Sequence, residues 1–305
     1  MQPAMQTAHL DFDIVDVFTD RPYAGNPLAV VHGADDLSTE QCQRIAQEFG
    51  FSETSFPASV VHDGAEYHTR IFTPEREIPF AGHPTLGTAW VLRSRGRLTE
   101  SECVQVCGAG RIGVRFEGDR VELAADPRDL VGPLPQDLVR DLLRMVGLRL
   151  PDVAGQAWIA GCGLSFVHLP VTEEAVVRAV PSGPMSMPLE ARLAAFAPTE
   201  DLIDAVNVYA VAGEAPRVAV HSRVFVPGAG VPEDPATGSA AAGLGMALVA
   251  SGLLPEGGRY DIVQGVEMGR PSALAGRVQA TGGTPQRCLV AGGVQHVATG
   301  SIAVP

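Results

Sequence analysis

Short apolar runs broken by Gly and Pro fill the first third of the chain. "FDIVDVFT" (Phe12–Thr19) reads as a strand, "DRPYAGNP" (Asp20–Pro27) as a loop, and "LAVVHG" (Leu28–Gly33) as a second apolar strand. The period then changes. In "STEQCQRIAQEFG" (Ser38–Gly50) Cys42, Ile45, Ala46 and Phe49 recur at helical spacing. Ser38 and Gln41 form a capping box, and Gly50 ends the helix. "FSETSFPAS" (Phe51–Ser59) returns to period two, with Phe51, Glu53 and Ser55 on one face and Ser52, Thr54 and Phe56 on the other. "AEYHTRIFTP" is a further strand, and "HPTLGTAWVLRSRG" (His83–Gly96) a helix with Pro84 at its first position. "RIGVRFEGDRVELAA" is a hairpin turning at Glu117–Asp119, and "DPRDLVGPLP" (Asp126–Pro135) a linker.

Beyond the linker the order of elements roughly repeats. A helix is expected at Gln136–Val146, strands within Ala157–Val171, helix at Leu189–Phe196, and strands at Val206–Val211 and Val218–Val226. A strand-rich tail follows the uncharged segment Pro235–Leu254. That segment has the length of a membrane span, but Gly238, Gly243, Gly245, Gly252 and its alanines make it a buried central helix instead. A local repeat ties the halves together: "FTPEREIPFAGHPTLGTA" from Phe72 and "FVPGAGVPEDPATGSAA" from Phe225. Aligned on their proline dipeptides, His83-Pro84 matches Asp234-Pro235, Gly87 matches Gly238, and Thr88 matches Ser239. Each copy reads as strand, polar loop and proline-started helix, with Asp234 as an N-cap and Pro235 at N1.

This repeat carries the candidate chemistry. Two helix N-termini converging on a cleft present unpaired N–H groups and positive dipole ends, which bind a carboxylate or phosphate without Lys or Arg. Glu53, between Phe51 and Ser55, is expected to be at least half buried, which raises a carboxyl's pKa and suits proton exchange. Composition narrows the partners. A formal net charge of −13 and a pI near 5.0 argue against nucleic acid and anionic membranes. Five scattered cysteines and eight histidines without HxH or HxxxH spacing offer no metal site and suit a reducing cytoplasm. The N-terminus "MQPAMQTAHLDFDIVDVF" lacks the basic flank and apolar core of a signal peptide. "GAGRIG" (Gly108–Gly113) leads into a hairpin rather than a helix, so it is no dinucleotide site. "TGSAAAG" lacks the GxSxG of a nucleophile elbow.

The stretches "VDVFTDRPYAGNPLAVV", "FSETSF", "IFTPEREIPFAGHPTLGTA", "RVFVPGAGVPEDPATGSAAAGL" and "QGVEMGRPS", in this order, resemble the phenazine-biosynthesis isomerase (PhzF-like) family, whose fold is related to diaminopimelate epimerase. The resemblance implies an α+β fold of two pseudo-symmetric halves, residues 1–126 and 127–305. Each half is a curled, mostly antiparallel sheet around a central helix, with the active site between them. The final strand, near 294–305, crosses back to the first half. It further implies Glu53 of the SET motif as catalytic acid/base with His83 and Asp234, and a substrate pocket lined by Asn26, Gly82, Gly238 and Ser239. A homodimer with a small carboxylate substrate and no cofactor is expected. The implied reaction is isomerisation of trans-2,3-dihydro-3-hydroxyanthranilate or of a related natural-product intermediate. Epimerisation or racemisation on the same fold, and non-catalytic binding of a small anion, are the alternatives. In the related epimerases cysteines open both central helices; here no cysteine lies near either. Glu233 and the segment 181–215 receive no role.

Overall fold

The computed structural model describes residues 8–61, 65–181, 185–197, 203, 205–226 and 232–305. The extreme N-terminus, where a leader was not expected, and the polar loop 227–231 of the second repeat copy lie outside them. The first half runs β1 (His9–Val17), β2 (Asn26–Val31), α1 (Thr39–Phe49), β3 (Glu53–Val61), β4 (Glu66–Phe72), β5 (Glu77–Ile78), α2 (Gly82–Ser94), β6 (Glu102–Cys107), β7 (Gly110–Glu117) and β8 (Arg120–Ala125). The second half follows with β9 (Asp129–Val131), α3 (Gln136–Met145), β10 (Trp158–Gly161), β11 (Ser165–Pro170), α4 (Glu173–Arg178), α5 (Met187–Phe196), β12 (Val206–Glu214), β13 (Arg217–Phe225), β14 (Glu233–Asp234), α6 (Gly238–Ala250), β15 (Gly257–Gln264), β16 (Ser272–Thr281) and β17 (Thr284–Ala303). The expected linker thus contains the short strand β9, which pairs with β10.

The halves share one topology. In the first, β2 and β3 are parallel across α1, and β4 and β6 are parallel across α2. In the second, β11 and β12 are parallel across α4 and α5, and β13 and β15 across α6. The remaining ladders are antiparallel, so each sheet curls around its central helix, α2 or α6. From Gly238 to Val249 every residue of α6 is buried, which accounts for its lack of charge. Among the described residues no helix is long and apolar enough to cross a membrane.

Local signals fixed α1 as expected. The Ser38–Gln41 capping box is present, and Gly50 closes the helix with φ 62°. The central helices, however, start elsewhere than expected. α2 begins at Gly82 behind Ala81, which leaves Pro84 in the third helical position. Proline is tolerated there because first-turn N–H groups have no helical partner. α6 begins at Gly238 behind Thr237, and Asp234 is not its N-cap. Instead Asp234 is held extended in β14, where Val224 pairs with Asp234 and Phe225 with Glu233. Phe72 pairs with Glu77 in the same way in the first half. These registers correct the repeat by five residues. "EIPFAGHPTLG" (Glu77–Gly87) matches "EDPATGSAAAG" (Glu233–Gly243) without a gap, so Gly82 is the counterpart of Gly238 and His83 of Ser239. Gly87 and Gly243 also correspond, and each lets its helix touch the sheet. A Cβ on Gly87 would lie 2.5 Å from Leu28 Cδ2, and one on Gly243 2.7 Å from the Ala160 carbonyl oxygen.

β17 joins the halves. Its first part pairs with β16 and with β8, and from Val294 onward it pairs with β1 up to Ala303 opposite His9. Asp13 of β1 secures this last ladder. Its carboxylate meets His32 Nε2 at 2.8 Å, Arg95 Nε at 2.6 Å, His296 Nε2 at 3.2 Å and Thr299 Oγ1 at 3.2 Å. Burial opposes the charged form, but hydrogen bonds from Arg95 and His32 outweigh it and lower the Asp13 pKa to about 2. Its stabilisation is therefore present above the ordinary carboxylate range and lost as pH falls through about 2. Asp13→Asn is expected to cost about 2 kcal/mol at pH 7, with the gap to wild type closing in acid. Equal denaturant midpoints at pH 7 would refute this role.

Candidate active site

The N-termini of α2 and α6 meet head to head. A Cβ on Gly82 would sit 2.9 Å from Gly238 Cα and 3.0 Å from Ser239 N, and a Cβ on Gly238 would sit 3.1 Å from Gly82 Cα. A Cβ at Gly82 would force the backbone apart, and one at Gly238 would be tighter than ordinary packing allows. Glycine here buys the close approach that brings two sets of unpaired N–H groups and two positive dipole ends to one point.

Acidic and polar side chains surround that point. Asn26, the first residue of β2, is fully buried. Its Nδ2 donates to Asp234 Oδ1 at 2.8 Å and to the Ala236 carbonyl at 2.9 Å, so a first-half side chain holds the approach to α6. The same nitrogen lies 3.3 Å from His83 Nδ1, and Asn26 Oδ1 accepts from Ser52 Oγ at 3.0 Å. Asp234 Oδ2 accepts from Thr237 Oγ1 at 2.6 Å. Glu53, at the start of β3, places Oε2 3.4 Å from His83 Nδ1; that oxygen is buried and has no hydrogen-bond partner. The Glu53 side chain keeps 16% of its surface exposed, so the group is enclosed yet reachable from the cleft.

These surroundings set the protonation states. Burial, then the negative charge of Asp234, raise the Glu53 carboxyl, with Ser52 opposing weakly. Burial likewise raises Asp234, although hydrogen bonds from Thr237, Asn26 and Ser52 favour its ionised form. The two carboxyls titrate as a pair. The Asp234 carboxylate accepts from Asn26 and Thr237 whereas Glu53 has an orphaned oxygen, so the first proton of the pair resides on Glu53. Burial holds His83 neutral, lowering its pKa to about 3. The arrangement sets an enclosed carboxyl of raised proton affinity beside two abutting helix N-termini, with a neutral imidazole next to it.

The sequence profile of the phenazine biosynthesis-like proteins (PhzC-PhzF) matches residues 15–128 and 152–300. The chain belongs to this family. Trans-2,3-dihydro-3-hydroxyanthranilate isomerase of Pseudomonas chlororaphis is 36% identical to this PhzF-family chain over 280 residues, covering 92% of this chain and 94% of its own length. The enzyme of the same name from Pseudomonas aeruginosa is 36% identical over 279 residues, covering 88% and 90%. Among solved structures, a predicted epimerase from Pseudomonas aeruginosa is 28% identical, covers 96% of this chain and 99% of its own, and has a TM-score of 0.79. A hydroxyproline epimerase from Agrobacterium vitis, 13% identical at a TM-score of 0.62 and covering 97% and 93%, shares the fold. This PhzF-family protein is an isomerase.

All seven residues read from the sequence lie at the meeting of the halves: Glu53, His83, Asn26 and Asp234 in contact one after the next, Gly82 against Gly238, and Ser239 in the first turn of α6. Three others were not foreseen. Ser52 precedes the first ladder residue of β3, so strand alternation did not apply to it. Thr237 sits three residues after Asp234, a spacing typical of a local Asp–Thr contact. Gln264, at the end of β15, donates to the Asp234 carbonyl at 2.8 Å, a partner 30 residues away. Glu233 now has a place as well. It forms a bidentate pair with Arg223, both bonds 2.8 Å, as Glu77 does with Arg70 in the first half. Each pair staples the short strand before a central helix to the strand beside it.

Because a buried carboxyl with a raised pKa costs stability once ionised, Glu53→Gln is expected to stabilise the enzyme as pH rises. The melting-temperature gap over wild type opens above about 4.5, the ordinary value for Glu, and levels off once Glu53 is ionised in the folded state. A variant that melts below wild type across pH 6–9 would contradict the burial of this charge.

Proposed function

We propose that this enzyme isomerises trans-2,3-dihydro-3-hydroxyanthranilate, or a closely similar cyclic amino carboxylate, by proton transfer through Glu53. The observation that carries this reading is a single enclosed carboxyl with an unpartnered oxygen, set beside two abutting helix N-termini. The substrate carboxylate binds at those N–H groups. Glu53, as carboxylate, takes the proton from a ring carbon, leaving the electron pair in the conjugated system. The protonated Glu53 then returns a proton to a different ring carbon, and the resulting enol tautomerises to the ketone. The proton count is unchanged and Glu53 ends as it began. Asp234, ionised and held by Asn26 and Thr237, receives the substrate ammonium group, with neutral His83 and Ser239 completing the polar wall. A positioned acid/base group of this kind contributes ~10²–10⁴-fold.

Racemisation on the same fold requires two opposed bases, and the pseudo-symmetry supplies only one. Thr54 pairs with Phe72 and Val206 with Phe225, so the counterpart of Glu53 is Ala205. The counterpart of Asp234 is Ile78 and that of His83 is Ser239. The duplicated frame thus carries an unduplicated catalytic group, which supports a proton shift over inversion. We place the enzyme in the cytoplasm as a homodimer; its five cysteines, all free, suit that compartment.

Incubation of trans-2,3-dihydro-3-hydroxyanthranilate with the enzyme in D₂O is expected to give the shifted ketone with deuterium at the newly protonated carbon. Glu53→Gln is expected to lose at least ~10²-fold in kcat. Unimpaired turnover by that variant would sink the assignment. Deuterium at a single stereocentre without double-bond migration would favour epimerisation.

A further inference from the structure

The turn 265–271 between β15 and β16 belongs to the second half, where Glu267 meets His221, yet its Arg270 reaches into the first. Arg270 Nε donates to the Gly25 carbonyl at 2.8 Å, and Nη2 donates to Asp16 Oδ1 at 2.5 Å and to the Ala24 carbonyl at 3.0 Å. Asp16 is itself buried on β1, and its other oxygen accepts the Tyr23 N–H at 2.6 Å. Gly25 N–H completes the contact by donating to the Pro271 carbonyl at 3.1 Å. The gripped segment is conformationally demanding. Tyr23 has φ 65°, a left-handed value that non-glycine residues adopt only when held. Gly25 has φ 68°, and a Cβ there would lie 2.3 Å from the Val17 carbonyl.

The residue after Gly25 is Asn26. Arg270 therefore binds the two carbonyls immediately before the side chain that reaches Asp234 and Ala236. The other end of the turn holds the other party to that contact. Gln264 donates to the Asp234 carbonyl and, at 3.1 Å, to Thr237 Oγ1, while a Cβ on Gly265 would lie 2.6 Å from the Pro235 carbonyl. One turn thus grips both sides of the Asn26–Asp234 bond.

We propose that Arg270, acting through Asp16 and the Ala24 and Gly25 carbonyls, is a positioning residue of the proton-transfer site that sets where Asn26 meets Asp234. Its catalytic consequence rests on the isomerase reading above; its electrostatic consequence does not. A displacement of about 1 Å at Asn26 removes a donor from the Asp234 carboxylate, and losses of ~10²-fold follow from misplacement of that size. The titratable groups acting on Asp234 are Glu53 from β3 and the adjoining Glu233, which is paired with Arg223, with neutral His83 of α2 on the far side of Asn26. Arg270 contacts none of these directly, so a change in Asp234 titration reports on the donors that the turn steers, Asn26 through the Ala24 and Gly25 carbonyls and Thr237 through Gln264.

The test uses full-length protein labelled with ¹³C at aspartate carboxyls, the Asp234 signal being assigned by its absence in Asp234→Asn. In Arg270→Gln and Asp16→Asn the Asp234 titration is expected to move upward by about one unit, as a carboxylate that has lost a hydrogen-bond donor does. In the same variants kcat is expected to fall ~10–100-fold with KM within ~threefold. Arg270→Lys, which keeps a charge for Asp16 but loses the fork to the carbonyls, is expected to fall between them and wild type. Arg192→Lys, at an ion pair with Asp137 on the outer helices, serves as the unaffected control. An unmoved Asp234 titration in folded Arg270→Gln and Arg270→Lys overturns the proposal. So does loss of a cooperative melt in all three variants, which assigns the contact to folding. Absence of turnover by wild type would sink the isomerase reading alone, leaving the titration to decide the role of Arg270.

Discussion

Everything at the centre of this molecule follows from the absence of two side chains. Gly82 and Gly238 let two central helices touch by their N-termini, where any Cβ would meet backbone at about 3 Å. Like dipole ends repel, so the arrangement persists only because the sheets hold each helix from behind and because acidic groups gather in front. Asp234 supplies the negative charge there, while Glu53 beside it carries the proton of the pair. Burial of the acids, their raised proton affinities and the neutrality of His83 all descend from the same crowding.

The duplicated frame explains how such a contact is built, and its departures from symmetry explain what the contact does. Arg70–Glu77 and Arg223–Glu233 fasten the two helix approaches in the same manner, and Gly87 and Gly243 seat the two helices on their sheets. Where the helices meet the copies diverge: Glu53 against Ala205, Asp234 against Ile78, His83 against Ser239. The ion pairs and seating glycines recur in both halves, whereas the buried titratable groups appear once. A site made this way is two-sided in shape and one-sided in its titratable groups.

Much of this was legible in the chain. The capping box of Ser38 and Gln41, the hairpin at Gly118 and the face of Glu53 depend on residues a few positions apart, where periodicity and turn chemistry suffice. The uncharged α6 announced its burial through its composition. Less legible was anything decided by ladder register. Proline at positions 84 and 235 marked the helix starts only to within a few residues, because a first turn accepts proline at more than one place and because β14 claimed Asp234. The repeat was visible, but its alignment slid by five residues until the Phe72–Glu77 and Phe225–Glu233 pairs fixed it. Arg270 and Gln264 stood within a recognised motif without a role, since the partners of Arg270 lie some 245 residues away.

The twenty-residue strand β17 carries a consequence for the order in which the molecule comes into being. The sheet that begins at His9 is completed by the strand that ends at Ala303, so the first half of the chain leaves the ribosome with an open edge. That edge waits through the synthesis of the whole second half before its partner arrives. Nascent chains therefore carry a β1 paired with β2 on one edge only for most of their elongation, a window in which pairing of the open edge with another copy competes with completion.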